Sequence, residues 1–150
     1  MISKPNGGHG SAINTGMDNA AGEYVKVLDS DDWVNRKGFI RLVEGLEKYD
    51  TDIVWSNFFW VYEPSGKKSV QNRHPFPGVE YGRKYDFREI AEKTFVKMHS
   101  MTVTTDLVRR TGMRIDENCY YVDVEFVMSP IPEVKTITFL DEFVYMSRLG

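Results

Sequence analysis

The sequence contains a single cysteine, Cys119, among its 150 residues. One cysteine excludes an internal disulfide, and this sparing use is typical of proteins that work in a reducing cytoplasm. No apolar run approaches the roughly 20 residues that a membrane-spanning helix needs. The segment Met1–Pro5 is too short and too polar to act as a secretory signal peptide. These absences favour a cytoplasmic location, including a peripheral one at the inner face of a membrane.

The chain also lacks an excess of positive charge. Its formal net charge is −3, so nucleic acid is not expected as a partner. A hydrophobic content of 41% is enough for a packed core, and the length suits one globular domain over residues 1–150.

What the chain does have is a short apolar run that ends in a cluster of acids, YVKVLDSDDW from Tyr24 to Trp33. A strand of this composition would be buried, and its end would push Asp29, Asp31 and Asp32 into a cleft. Three close carboxylates repel one another, so the cluster favours a bound cation. Oxygen ligands suit Mg²⁺ or Mn²⁺, the usual companions of a diphosphate. The sequence therefore predicts a metal–phosphate site here.

A glycine-rich segment, KPNGGHGSAINTG from Lys4 to Gly16, precedes the acids. It leads into a predicted helix that Ser11 or Asn14 would cap. Glycines allow a backbone to approach a ligand closely, and a helix N-terminus favours anions. The pattern matches neither standard phosphate-binding motif. Taken alone, the segment is better explained by a turn that feeds a helix than by a phosphate-binding loop.

Taken together, the loop, helix, strand and acids resemble the family 2 glycosyltransferases of GT-A fold. The match runs from Lys4 to Trp33 with every part in order: an Asn-Gly-rich loop, an Asn-containing helix, a Gly-Glu-Tyr step and a strand ending in Asp-Ser-Asp-Asp. The resemblance implies an α/β fold, the Rossmann-like nucleotide-diphospho-sugar transferase fold, with a mixed sheet and flanking helices. It also implies transfer of a sugar from a nucleotide-sugar, most often a UDP-sugar, to an acceptor hydroxyl. The reaction would invert the anomeric carbon and use Mn²⁺ or Mg²⁺.

The resemblance also implies roles for individual residues on the donor side. Asp29 would approach the donor ribose or the metal's shell, and Asp31 would ligate the metal that bridges the donor diphosphate. Asp32 is expected to support the turn through backbone hydrogen bonds. The alternative for these acids is a solvated turn. The loop and helix that line the donor site in the family are matched here by Asn6, Gly7, Gly8 and Asn14.

A second constellation, around Asp123, matches the catalytic base of the family. Inverting transferases need a carboxylate to take the proton from the acceptor hydroxyl. In the wider family this is the Asp of a Glu-Asp pair; here Asp123 holds the Asp position and Val122 replaces the Glu. The departure removes one carboxylate but leaves the base in place. Asp123 also lies where a helix is expected to begin, so it is a candidate N-cap as well.

Three further residues are candidates for the acceptor side: Trp33, His99 and Arg148. His99 would touch the acceptor or the diphosphate, or else form a structural hydrogen bond. Arg148 belongs to a segment that resembles the family's closing Tyr-x-x-Arg-x-Gly step, and would pair with phosphate oxygens or remain a surface arginine. The resemblance implies a saccharide or lipid-linked saccharide acceptor, in bacterial surface polysaccharide or glycolipid synthesis.

Hydrophobic periodicity and turn residues predict the remaining elements. The segment 73–82 is expected to be irregular, and Gly112 to end a helix. The predicted helices cover residues 35–49, 86–93 and 105–111, and the predicted strands cover residues 52–62, 67–70, 134–139 and 142–147.

The family fold opens with a strand, a helix and a second strand, yet only three residues precede the match at Lys4. A βαβ unit takes at least roughly 30 residues. The chain is therefore expected to be N-terminally truncated, to lack the first βαβ portion, and to be the central and C-terminal part of the catalytic domain. We expect such a chain to be poorly active alone and to self-associate through exposed strand edges.

Three other protein classes could use an acidic cluster of this kind. A haloacid-dehalogenase-like phosphatase usually has Thr or Val where Trp33 stands, which disfavours it. A calcium-binding EF-hand loop starting at Asp29 would need Gly and Glu where Val34 and Ile40 stand, which excludes it. A non-catalytic carbohydrate- or partner-binding remnant of a transferase stays open as the alternative function.

Overall fold

The computed structural model describes residues 1–70 and 76–150. Part of the segment expected to be irregular, residues 73–75, lies outside the described residues. The helices are α1 (Gly8–Asp18), α2 (Arg36–Tyr49), α3 (Phe87–Ile90), α4 (Thr105–Thr111) and α5 (Val122–Met128). The strands are β1 (Tyr24–Val25), β2 (Trp33–Val34), β3 (Ile53–Tyr62), β4 (Lys67–Val70), β5 (Lys84–Asp86), β6 (Met101–Thr104) and β7 (Thr136–Leu149).

The strands form one mixed sheet in the order β1-β6-β3-β7-β2, with β4 on β3 and β5 on β7. The long strands β3 and β7 run parallel, whereas the other pairs are antiparallel. The predicted mixed sheet with flanking helices is therefore confirmed. In the described residues no strand precedes α1.

The strongest strand prediction, residues 52–62, holds because β3 is rich in β-branched and aromatic residues that suit a buried strand. Helix α2 also forms where its periodicity predicts, and the Asn35 side chain caps it by accepting from the Lys37 N–H at 3.2 Å. Helix α2 lies very close to β7 at Gly38. A Cβ on Gly38 would overlap the Phe143 carbonyl oxygen, so glycine allows a close approach while Phe39 remains exposed.

Three local predictions are wrong. Helix α1 begins at Gly8 after an uncapped Gly7, so Ser11 and Asn14 lie inside the helix rather than at its N-cap. The run after Tyr24 pairs as a strand over two residues only, Tyr24 and Val25, which face Thr104 and Val103 of β6. The two predicted C-terminal strands are one strand, β7, which stays paired with β3 through register shifts at Asn57. The shifts accommodate the residues between the two predicted strands, because Ser56 pairs with Leu140 and Asn57 with Phe143.

The helix containing Asp123 begins before this residue, at Val122. Tyr121 occupies the N-cap position, and its carbonyl accepts from the N–H groups of Val124 and Glu125 at 3.0 and 3.2 Å. Asp123 is therefore the second residue of α5, and its N-cap interpretation is wrong. Its carboxylate lies in the first turn, where a negative charge is favourable.

Packing on the sheet fixes the elements around the cleft. A large cluster of buried side chains includes Phe126 of α5 and Phe139 of β7. A smaller one joins Leu42 of α2 to Val54 and Val144. Because both clusters include β7, this strand links α2 to the rest of the core. Among the described residues, none of the helices combines the length and apolarity needed to cross a bilayer.

Candidate functional site

The predicted acidic turn lies between two short strands, β1 and β2, at opposite edges of the main sheet path. β1 pairs with β6 and β2 pairs with β7. The turn is closed by a hydrogen bond from the Asp32 N–H to the Asp29 carbonyl, 3.1 Å long. The expected supporting role of Asp32 agrees with this contact. The acids therefore lie in a turn whose two ends are both fixed by strand pairing.

Tyr145 of β7 contacts two residues of the acidic turn through its hydroxyl. Its hydroxyl donates to Asp32 Oδ2 at 2.7 Å, accepts from the Asp29 N–H at 3.1 Å, and lies 3.3 Å from Asp29 Oδ2. The Arg148 N–H donates to Asp32 Oδ1 at 2.7 Å. Burial raises the pKa of Tyr145, and its hydrogen bond to Asp32 adds to the shift, so the hydroxyl stays protonated. One strand therefore engages both carboxylate oxygens of Asp32.

The three acids differ in how far their carboxylate oxygens are engaged by other protein groups. Asp32 is occupied by β7, and Asp29 Oδ1 lies 3.0 Å from His9 Nε2. Asp31 is exposed and has no hydrogen bond or ion pair within residues 1–70 and 76–150. Asp31 is thus the acid with a fully free carboxylate.

His99 joins the same cluster from the segment before β6. One ligand atom each from Asp29, Asp32 and His99 lies within 4.8 Å of the others. Burial lowers the pKa of His99 despite the two aspartates, which favours the neutral imidazole that metals bind. The ring stacks on Phe58, at 5.1 Å between centroids, and its buried Nδ1 has no partner among the described atoms. The donor set of two carboxylates and an imidazole fits a divalent cation.

Lys26 connects the strand before the acids to the His99 segment. Its ammonium donates to the carbonyls of His99 and Met101 at 2.9 and 3.2 Å. It also lies 5.7 Å from the centre of the Tyr145 ring. Burial lowers the pKa of Lys26 from 10.5 to about 7.

The glycine-rich loop is shaped mainly by contacts within the protein. Asn6 Oδ1 accepts from the Gly8 N–H at 3.0 Å, and the Gly7 carbonyl accepts from the Asn118 N–H at 3.1 Å. Gly8 has φ of 78°, a conformation that glycine adopts without strain. Asn14 is 7% exposed, and its amide exchanges two hydrogen bonds with the Ile115 backbone at 2.8 and 2.9 Å. The loop thus ties α1 to the segment that leads to Asp123.

Two cavities meet at this cluster, and His9 and Asp29 line both. The larger, of about 780 Å³, runs along α1 and includes Lys26 and Asp31 in its wall. The smaller, of about 420 Å³, is lined by His99, Asp123 and the segment that contains Tyr120. Their volumes fall in the roughly 300–1,000 Å³ range of small-ligand sites. The structure therefore brings Asp29, His99 and Asp123 to one cavity and places Asp31 in the wall of the adjoining one.

Trp33 and Arg148 come together beside the acidic turn. The Arg148 guanidinium lies 5.5 Å from the centre of the Trp33 ring, a cation–π distance. Because the Arg148 backbone also holds Asp32, this pair is part of the support of the acids. Arg148 is exposed, which leaves its remaining N–H groups accessible to a ligand.

Sequence reasoning missed three residues of this cleft: His9, Lys26 and Tyr145. His9 and Lys26 stand inside the segment that resembles the family, but the resemblance rests on their neighbours. Tyr145 carries the weakest signal, because nothing in the sequence shows which acid its hydroxyl reaches across 113 positions. Only the parallel pairing of β7 with β3 and the pairing of β2 with β7 bring it there.

Comparison with known proteins identifies the family. The model of glycosyl transferase family 2 matches residues 1–112. The uncharacterized glycosyltransferase EpsJ of Bacillus subtilis is 28% identical over 159 aligned residues, covering 99% of this chain and 44% of EpsJ. The succinoglycan biosynthesis protein ExoW of Rhizobium meliloti is 37% identical over 59 residues, 38% of this chain and 18% of ExoW.

A solved structure supports the fold. Residues 1–349 of Staphylococcus aureus TarS, crystallised with UDP-GlcNAc, superpose with a TM-score of 0.73 at 18% identity, over 99% of this chain and 41% of the TarS chain. The expected GT-A fold is confirmed by this likeness. The chain spans less than half the length of EpsJ or of that TarS structure. With the family model matching most of its length, the chain belongs to the family 2 glycosyltransferases.

Proposed function

We propose that this chain carries the catalytic centre of a transferase that moves a sugar from a UDP-sugar to a hydroxyl group of a saccharide or lipid-linked saccharide. The observation that supports this most is that Asp29 and Asp123 line the same cavity. A donor bound at the acidic turn would then face the residue that resembles the family's base. The UDP-GlcNAc in the TarS structure supports the choice of donor class, and ExoW supports a role in polysaccharide synthesis.

The donor would lie along the larger cavity, against α1 and the acidic turn. Asp29 and Asp31 would hold the metal, with Asp31 supplying the carboxylate that no described protein group occupies. His99 and Asp32 carry ligand atoms within 4.8 Å of Asp29, a cluster that does not include Asp31, so Asp31 would reach the metal from outside it. Carboxylates suit Mg²⁺ and Mn²⁺ alike. When bound, the metal would neutralise charge on the leaving diphosphate.

Asp123 would act as the base in a single displacement. Its carboxylate is exposed, on the first turn of α5. As the acceptor oxygen forms its bond to the anomeric carbon, the bond to the diphosphate breaks on the opposite face of the sugar. The acceptor proton passes to Asp123. This geometry inverts the anomeric carbon.

The loop residues Asn6, Gly7, Gly8 and Asn14 would act on the donor by placing α1. Asn14 is fully engaged with the Ile115 backbone, so it fixes the position of α1 relative to the segment leading to Asp123. Trp33 and Arg148 would act at the rim, where the exposed Arg148 can meet phosphate or acceptor oxygens. We also propose one domain over residues 1–150, supported by a sheet that draws strands from Tyr24 to Leu149.

The metal assignment is tested by comparing Asp31→Asn with Asp106→Asn, a matched change at an exposed aspartate of α4. Calorimetric titration with UDP and Mn²⁺ should show donor affinity weakened about 10-fold or more in Asp31→Asn and unchanged in Asp106→Asn. UDP binding that needs no metal and survives Asp31→Asn would overturn the assignment. Sugar binding without any UDP binding would favour the non-catalytic binding remnant instead.

A further inference from the structure

Two tyrosines stand out in the wall of the smaller cavity. Tyr120 and Tyr121 are 91% and 81% exposed, although tyrosine rings usually bury most of their surface. Within the described ranges, neither side chain has a hydrogen bond or a ring contact. Packing among residues 1–70 and 76–150 therefore gives no reason for aromatic residues at these positions. Both tyrosines line the cavity that Asp123 also lines, so a ligand of Asp123 would lie within their reach.

The backbone of Tyr121 is strained as well. Its φ is 66° and its ψ is 24°, the left-handed region that costs a bulky residue about 1 kcal/mol or more. Glycine or asparagine would adopt this conformation more easily. A strained tyrosine beside the proposed base is the kind of outlier that occurs at ligand-binding positions.

The charges near the tyrosines limit what they can bind. Asp116, Glu117, Asp123 and Glu125 all belong to the same segment, and the Asp116 N–H donates to Glu125 Oε2 at 2.9 Å. An anionic surface or a phosphorylated group would be repelled by these acids. An uncharged sugar ring fits instead, because it has an apolar C–H face for an aromatic ring and hydroxyls for carboxylates.

We propose that the acceptor is an uncharged saccharide whose terminal ring stacks on a platform formed by Tyr120 and Tyr121 and presents its hydroxyl to Asp123. This rests on the proposed function and adds the acceptor class and its subsite. A competing occupant is a lipid surface, since Val124 and Met128 extend the exposed apolar surface along α5 at 53% and 59% exposure.

The test combines Tyr120→Ala with Tyr121→Gly and Tyr121→Asn, both of which keep the left-handed backbone and so preserve the start of α5. Tyr62→Ala, at an exposed tyrosine of β3, is the matched control. The probes are methyl glycosides of glucose, galactose and N-acetylglucosamine. We expect the acceptor KM to rise about 10-fold with a smaller change in kcat, whereas the Kd for UDP stays within about twofold.

The outcomes separate the platform from the proposed function. An acceptor KM within twofold of wild type in the double variant overturns the platform. Loss of binding to zwitterionic phosphatidylcholine vesicles, with glycoside KM unchanged, replaces it with the lipid surface. If the chain binds no UDP, the proposed function fails, but saturation transfer from the protein to a methyl glycoside that both tyrosine variants abolish would still support the platform. If the wild-type chain binds no UDP and also shows no saturation transfer to a methyl glycoside, both the proposed function and the tyrosine platform are overturned.

Discussion

The two sides of the cleft are built differently. On the side that we propose for the donor, the acidic turn is held by Tyr145, by the Arg148 backbone and by its own closing hydrogen bond. On the side that we propose for the acceptor, Asp123 has no hydrogen-bond or ion-pair partner in the described part of the chain, and Tyr120 is almost fully exposed. One wall is fixed by the sheet, whereas the other presents free side chains.

This difference suits two ligands of different kinds. A diphosphate and its metal require fixed charges, and groups that are already in place need no reorganisation on binding. The acceptor that we propose is an uncharged sugar, and its recognition by aromatic ring faces would tolerate small shifts. Changes on the donor side should therefore affect metal and donor affinity together, whereas changes on the acceptor side should affect turnover and acceptor KM alone.

The largest expected effect comes from Asp123→Asn, which removes the base and leaves the shape of the side chain. We expect kcat for sugar transfer to fall about 10²–10⁴-fold, because general base catalysis contributes about that much. The Kd for UDP with Mn²⁺ should remain within about twofold, since the acidic turn is untouched. Rates come from transfer assays with a UDP-sugar, and affinities from calorimetry.

Asp116→Asn controls for loss of a negative charge on the same segment. Transfer in Asp116→Asn should remain within a few-fold of wild type, because no step of the proposed reaction uses this carboxylate. A kcat for Asp123→Asn near that of wild type would assign the base elsewhere. A parallel loss of donor affinity would contradict the division of the cleft into two sides.

The donor side was largely predictable because its parts are close in sequence. The loop, the first helix and the acids lie between Lys4 and Trp33, and their order alone carries the resemblance to the family. The position of Asp123 was predictable from the same resemblance. The sequence pattern was wrong in two details of this segment. Gly7, not Ser11, precedes α1, and the strand that begins at Tyr24 is only two residues long.

The supports of the site could not be predicted, because they join segments far apart in the chain. Tyr145 reaches Asp32 only through pairing of β2 with β7, and the Asn14 amide meets Ile115 across 101 positions. A hydrophobic pattern states that a residue faces inward, but not which polar group its hydroxyl or amide will meet. Such partners depend on strand register, which here includes shifts at Asn57.

A smaller effect, which sharpens the comparison, is expected from Tyr145→Phe. The change removes the hydroxyl that joins the Asp29 N–H to the Asp32 carboxylate, at a cost of about 1–3 kcal/mol in the free energy of unfolding. The loosened turn should also weaken Mn²⁺-dependent UDP binding about 10-fold. Urea denaturation and calorimetry measure the two quantities on the same preparation.

Tyr85→Phe is the matched control, because the Tyr85 hydroxyl also accepts from a backbone N–H, that of Glu80, at 2.8 Å. This tyrosine is buried on β5, away from the acids. Both variants should lose stability, and Tyr145→Phe alone should lose donor affinity. Equal donor affinities would mean that the turn holds its shape without Tyr145.

The last prediction concerns stability alone. Lys26 joins the strand before the acids to the carbonyls of His99 and Met101. Its pKa is about 7 in the native protein and about 10.4 in an unfolded chain. Between these values the unfolded state binds one more proton, so stability should rise with pH by at most about 1.4 kcal/mol per unit. Below about pH 7 both states carry the charge, and its cost is constant. Lys26→Met keeps the chain length and removes the titration, so urea denaturation from pH 7 to 9 should show a flatter profile than wild type. If stability changed with pH equally in wild type and Lys26→Met, the carbonyls of His99 and Met101 would be keeping Lys26 charged in the native protein at every pH measured.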